Sequence, residues 1–197
     1  MRRILPGLAL LIVLTSPVSA AEETPAPDPG PPPSITGLIV QIRDGVVLAS
    51  FHLAGALDSE TRARIASGLE TTFDYRVELV RKRRFWPDAR VRQHRILTSA
   101  KFDSLSRQYG LTLKLDGEVE RSSTTDRVEE MEHWLTAVQD VSLGMTTELL
   151  PDQEYAVRVK ADFPPRFILL FIPWDRDTDW VRGALPSPPV TVHEPRP

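Results

Sequence analysis

The strongest chemical signal in the chain is cationic. Arg81, Lys82, Arg83, Arg84, Arg90, Arg92 and Arg95 fall within fifteen residues, with Phe85, Trp86 and His94 among them and Asp88 as the only acid. A guanidinium is a planar fork of donors that matches a pair of oxygens and stacks on a ring, so arginines beside aromatics suit phosphate or carboxylate contact. Such a patch fits lipid headgroups, phosphorylated cell-wall polymer or an acidic protein face. On a solvated hairpin tip the same charges would instead pair with Asp74, Glu78 and an acidic segment downstream. On exposed strands they would also discourage pairing with other chains.

The acidic segment comprises Asp116, Glu118, Glu120, Asp126, Glu129, Glu130 and Glu132, broken by Arg121 and Arg127. A catalytic carboxylate pair needs convergent geometry and pKa values pushed apart. Seven acids interspersed with arginines read as a wet face. The alternating acidic pattern with a glycine turn that marks a calcium loop is absent. The histidines, His52, His94, His133 and His193, lack metal-ligand spacing. Glu129 and His133, one helical turn apart, read as a surface contact. There is no Gly-x-Ser-x-Gly elbow, no Gly-rich phosphate loop and no cysteine. The lack of cysteine excludes disulfides, thiolate metal sites, a Cys nucleophile and a lipid-modified N-terminal cysteine. The expectation is a non-enzymatic protein with no cofactor and no metal.

The third feature is apolar. Phe167-Ile168-Leu169-Leu170-Phe171-Ile172-Pro173-Trp174 is followed by Asp175, Arg176, Asp177, Asp179 and Trp180. Eight residues cannot span a bilayer, which takes roughly 20. The segment either closes the core as a last strand or docks a membrane surface or partner. Phe171, Trp174 and Trp180 therefore join Arg81, Arg83, Arg84, Trp86, Arg90, Arg92 and Arg95 as candidate interaction residues.

The ends of the chain read as addresses and spacers. Arg2-Arg3, an apolar run from Ile4 to Thr15, and Ser16-Pro17-Val18-Ser19-Ala20 make the three parts of a secretory signal. Cleavage is expected near Ala20, with a periplasmic or extracellular product. Losing Arg2 and Arg3 with no acid moves the formal net charge from −3 to −5. That balance argues against bulk nucleic-acid binding. Residues 21–34 are a Pro-rich spacer, 35–164 a β-rich domain, 165–185 the apolar and aromatic segment, and 186–197 a disordered Pro-rich tail.

The elements that must position these residues are mostly strands. Leu38, Val40 and Ile42 alternate with polar or outward positions, and Asp44-Gly45 signals a two-residue hairpin. Val47, Ala49, Phe51 and Leu53 repeat the alternation, as do Phe73, Tyr75, Val77 and Leu79. Tyr109, Leu111, Leu113 and Leu115 follow, and Tyr155, Val157, Val159, Ala161 and Phe163 complete the set. Trp86 to Ala89 is expected to turn a long hairpin running from Phe73 to Phe102. Asp58 is expected to cap a helix reaching about Leu69, with Ile65 and Leu69 on one face. Asp126 is expected to cap a second, with Glu129 at the capping-box position and Val128, Met131, Leu135 and Val138 as its stripe.

The spacing Leu149-x-Pro151-x-x-x-Tyr155-x-Val157-x-Val159 resembles the tyrosine corner of fibronectin type III domains, where a tyrosine hydroxyl bonds back to the backbone across a turn. Pro151 and Tyr155 would be its structural corner. The fold expected is a mainly β, antiparallel immunoglobulin-like sandwich with two short helices inserted. The alternative is α+β, one antiparallel sheet with both helices on one face.

From about Ile35 to Phe163 the chain resembles the uncharacterised secreted bacterial family called domain of unknown function 4390. The likeness lies in Asp44-Gly45-Val46-Val47-Leu48-Ala49-Ser50-Phe51, Ser67-Gly68-Leu69-Glu70-Thr71-Thr72-Phe73, Lys101-Phe102-Asp103, Leu115-Asp116-Gly117 and Glu154-Tyr155-Ala156-Val157-Arg158-Val159. The resemblance implies an exported protein, encoded near a sensor histidine kinase, and so an envelope signalling partner. The functional expectation is an exported, non-enzymatic binding or adaptor module of the bacterial envelope with a protein partner. The alternatives are a peripheral protein on an anionic membrane surface, using the basic hairpin and aromatic tail together, and a hydrolase of envelope polymers.

Overall fold

The computed structural model describes residues 31–163, 166–168, 172–174 and 177–186. The residues read as a signal segment and cleavage site, most of those read as a spacer, Phe171 and the chain after Pro186 lie outside the described residues. Alternating apolar residues build β1 (Ser34–Arg43), β2 (Val46–Ala54), β3 (Thr71–Arg81), β4 (Ala89–Asp103), β5 (Gln108–Leu115) and β8 (Tyr155–Asp162). The other elements are α1 (Ser59–Ala66), β6 (Glu118–Thr125), α2 (Val128–Thr136), β7 (Ala137–Met145), β9 (Arg166–Ile168), β10 (Ile172–Trp174) and β11 (Val181–Ala184). No helix among the described residues is long and apolar enough to cross a membrane.

The strands form two antiparallel sheets and a separate ribbon. One sheet has the order β1-β2-β7 and the other β11-β8-β3-β4-β5-β6. Strands 1, 2 and 7 take the places of A, B and E, and strands 3, 8 and 11 those of C, F and G, in an immunoglobulin-like sandwich. The small sheet covers only part of the large one. It lies over β11 and β8 and reaches β4 through β7, while α1 and α2 pack on β4 and its neighbours. The expected sandwich with two short helices therefore forms, sheet on sheet at one side of the core and helix on sheet at the other, and the single-sheet alternative does not.

That core is the inner face set by alternation. Phe51 of β2 meets Tyr75 of β3 edge to face, centroids 5.3 Å apart. The Tyr75 hydroxyl donates to the Leu135 carbonyl at 2.6 Å, and Thr98 Oγ1 donates to the same oxygen at 2.8 Å. Two buried hydroxyls thus satisfy a carbonyl at the open end of α2. Burial pushes the Tyr75 pKa well above its ordinary value, so the phenol stays a donor. Gly183 lets β11 approach β1, because a Cβ there would sit 2.9 Å from Val40 Cγ2.

The helices depart from expectation at their ends. Asp58 caps α1, accepting from Thr61 N–H at 2.8 Å. The helix stops at Ala66 because Gly68 takes φ +83° and Leu69 N–H bonds back to Arg64. Leu69 lies past that stop and is exposed, not on the apolar stripe. Asp126 does not cap α2. Arg127 holds the N-cap position without a side-chain bond, and Thr125 Oγ1 accepts the Arg127 N–H instead. Val128 is exposed, Met131 and Leu135 are buried, and Val138 belongs to β7 rather than to the helix. A bulge at Asp140, with φ +51°, shifts the register of β7 on β2. Its buried residues are therefore Val138, Val141 and Leu143, a spacing that imitates the continuation of a helix.

Candidate functional site

The basic stretch divides according to strand register. The long hairpin forms, with Asp74↔Leu97, Arg76↔Arg95 and Glu78↔Gln93 side by side, and it reverses over residues 82–88 rather than in a tight turn at Trp86. Register pairs Arg95 with Arg76, Arg92 with Leu79 and Arg90 with Val80, so the strand-borne cations reach their acids diagonally or from another segment. Arg95 binds Asp74 through Nε at 3.1 and 3.0 Å and Nη2 at 2.5 Å. That carboxylate raises the Arg95 pKa further. Arg92 reaches Glu148 at 2.6 Å from the other face. Arg90 donates to Gln93 at 2.6 Å and lies 3.4 Å from Glu78.

Glu78 is the one buried carboxylate of this network, with its side chain 3% exposed. It also takes Arg158 through Nε at 2.7 Å and Nη2 at 2.6 Å. The other face of the Arg158 guanidinium lies 4.6 Å from the centre of the Trp180 ring. Trp180 is thereby folded onto the sheet, held by Thr178, whose N–H donates to the Ala161 carbonyl at 2.9 Å while its Oγ1 accepts from Ala161 N–H. Beside it Lys160 bridges Asp162 and Asp177. Burial raises the Asp162 pKa, while bonds from Lys160 and the Phe163 N–H outweigh burial and lower that of Asp177.

The tip differs. Arg81, Arg83 and Arg84 make no ion pair among the described residues. Arg84 lies 5.8 Å from the Phe85 ring centre. Phe85 is 86% exposed and Trp86 74%. The loop is nonetheless tied down at both ends. Lys82 N–H donates to the Glu154 carbonyl at 2.8 Å and its ammonium lies 3.2 Å from the Glu154 carboxylate. Asp88 binds Arg182 of β11 at 2.9 Å.

Glu154 belongs to the corner before β8. Tyr155 is buried and its hydroxyl accepts from Leu150 N–H at 2.9 Å, across a turn in which Asp152 takes φ +57°. The Tyr155 hydroxyl thus bonds back to the backbone next to Pro151. Between the corner, Lys82 and the end of β11 lies a groove of about 530 Å³ with Leu149, Leu150, Pro151, Gln153, Leu185 and Pro186 among its lining. The sequence held no direct sign of it, because its walls come from four separated segments.

The apolar segment splits in two. Val181–Ala184 pairs with β8 from Val159 to Ala156 and so completes the large sheet. The segment read as 165–185 is thus part fold and part ribbon. β9 and β10 pair only with each other, Ile172 with Ile168, Pro173 with Phe167 and Trp174 with Arg166. The chain leaves β8 for the ribbon beside Asp74 and enters the tip at Arg81. Seven strand residues, roughly 23 Å, separate those two exits.

The acidic run forms the turn after β5, the edge strand β6 and the first turns of α2. Arg62 takes Glu132 at 2.6 Å, and Glu130 pairs with Arg127 and Thr125. Glu129, Glu130 and His133 line a shallow hollow of about 350 Å³ with Trp134. No group of three His, Asp or Glu side chains that could hold a metal ion occurs among the described residues.

Comparison with known proteins adds a family and no activity. No curated protein and no solved structure matches the chain. A family model described as a domain of unknown function (DUF4390) matches residues 32–182, a range that ends inside β11. The chain belongs to that family, DUF4390.

Proposed function

We propose that this protein is an exported, non-enzymatic binding module of the bacterial envelope that docks a protein partner through the 82–88 tip. The observation that carries the proposal is the tip itself. Two aromatic side chains stand mostly in water beside three arginines without carboxylate partners among the described residues, on a loop anchored at Lys82 and Asp88. Large exposed aromatics with arginine are the composition of interaction hot spots, and anchoring lowers the ordering cost of binding. Export is supported by the N-terminal basic start, apolar run and small-residue site. A protein partner is favoured over a lipid surface because the tip and the ribbon leave the sheet at opposite ends. A bilayer met end-on by the tip would lie roughly 23 Å from the point where the chain leaves for the ribbon. In-cell photocrosslinking from a reactive residue at Trp86 tests the reading. One specific protein adduct, lost with Arg83→Ser/Arg84→Ser, is the expected result. Adducts to lipid alone, or none, would overturn it.

A further inference from the structure

The tip and the corner groove share a wall. Lys82 lines the groove and begins the loop, and its two bonds to Glu154 fasten the loop to the corner. We propose that the groove and the unpaired arginines form one recognition surface for an extended acidic segment of the partner protein. An apolar side chain of that segment would sit against Leu150, Pro151 and Leu185, and its carboxylates on Arg81, Arg83 and Arg84. This rests on the tip reading above and adds the chemistry of the partner.

Charge complementarity selects the occupant. Arg90, Arg92, Arg95, Arg158 and Arg182 each have a carboxylate within the protein. Arg81, Arg83 and Arg84 have none among the described residues, and they are the cations offered to a partner's carboxylates. The groove adds a concavity of about 530 Å³ with mixed polar and apolar walls, in which Leu149, Leu150, Pro151 and Leu185 form the apolar part, within the roughly 300–1,000 Å³ of ligand-holding sites. A convex side chain fills that shape and a bilayer does not. The walls are preset, since Tyr155 holds Leu150 and Glu154 holds Lys82, so little order remains to be imposed on binding.

The test is fluorescence anisotropy of the full chain with a labelled decapeptide carrying a central Leu-Phe pair flanked by aspartates. Binding should weaken roughly tenfold or more in Arg83→Ser/Arg84→Ser and, separately, in Leu150→Glu. Leu150 is already half in water, so the latter leaves the fold intact. Binding should also weaken as salt rises. Equal binding of a lysine-flanked peptide would overturn the inference. So would loss in the arginine variant with none in Leu150→Glu, an outcome that removes the groove and leaves the tip reading standing. No peptide binding while Trp86 still crosslinks a protein would likewise sink this inference alone. Loss of that crosslink would sink the tip reading beneath it. Displacement by a free Ser187–Pro197 peptide would assign the groove to the chain's own tail, a dimer broken by Leu150→Glu to a second copy, and uptake on anionic vesicles to lipid. Each of these replaces the proposed occupant.

Discussion

Arg83 and Arg84 at the tip and Arg90, Arg92 and Arg95 on β4 come from one short stretch of chain and meet opposite ends. The strand arginines are consumed by the fold. Antiparallel register sets Arg95 beside Asp74 and brings Arg90 toward Glu78, and Arg92 crosses to Glu148. The loop arginines stand beyond the last register pair, Arg81↔Ala89, where no neighbouring strand supplies an acid. A run of like charge is therefore not a surface patch until register is known. Here register removes the larger part of it and leaves a smaller, sharper cluster next to two exposed rings.

The comparison breaks most visibly at Glu78. It is the buried anion that neutralises Arg90 and Arg158, and Glu78→Ala would leave Arg158 under Trp180 with no counter-charge. Stability should fall by about 2–3 kcal/mol, since removing one partner of a buried pair strands the other. Denaturant midpoints measure this, and a loss below about 0.5 kcal/mol would show that the strand set is not structural. Tyr155→Phe should cost about 1–2 kcal/mol, because Leu150 N–H loses its acceptor. Tyr75→Phe should cost less, because Thr98 still donates to the Leu135 carbonyl.

Direct substitution of the two arginine sets sharpens the contrast. Arg92→Ser and Arg95→Ser should each lower stability by up to about 1 kcal/mol and leave the Trp86 crosslink in place. Arg83→Ser/Arg84→Ser should change stability by less than about 0.5 kcal/mol and abolish the crosslink. A thermal melt and a crosslinking gel on the same four proteins suffice. The reverse pattern would show that the strand arginines are the docking set.

Much of the fold is legible in the sequence because period-two alternation records burial directly. Val47 to Leu53, Phe73 to Leu79 and Tyr155 to Ala161 all face the core as their pattern implies. The failures are equally physical. β6 is solvent-exposed on both faces except at Thr125, so Glu118 to Thr125 shows no alternation to read. β7 is masked by the bulge at Asp140, whose N–H takes Ser50 Oγ at 2.9 Å and whose extra residue turns a period of two into three. Arg127 displaces Asp126 from the N-cap position, and Thr125 Oγ1 takes the Arg127 N–H, because only geometry decides which oxygen reaches that donor. The residues of the candidate tip were visible as types. Which of them are spent internally, and the groove beside them, depend on pairings between segments far apart in the chain.

The smallest expected effect concerns what holds β4 in the register that pairs its arginines. Asp116, in the β5–β6 turn, accepts Arg95 N–H at 2.8 Å through Oδ1, and its Oδ2 lies 2.7 Å from His94 Nδ1. Burial alone would raise its pKa, but those two partners overcome it and hold the carboxyl below its ordinary value of 3.8. A carboxyl whose folded pKa is depressed contributes stability above its unfolded value and loses it as pH falls through the folded one. The advantage of the native chain over Asp116→Asn should therefore be full at about pH 6 and shrink once pH drops below 3.8. Melting temperatures of the two proteins across that range measure it. Asp116 is half exposed, so solvent screens the pair and the difference should amount to a few degrees at most. A gap that widens on acidification would mean that the carboxylate opposes the fold at that turn, and that β4 owes its register to the strand arginines themselves.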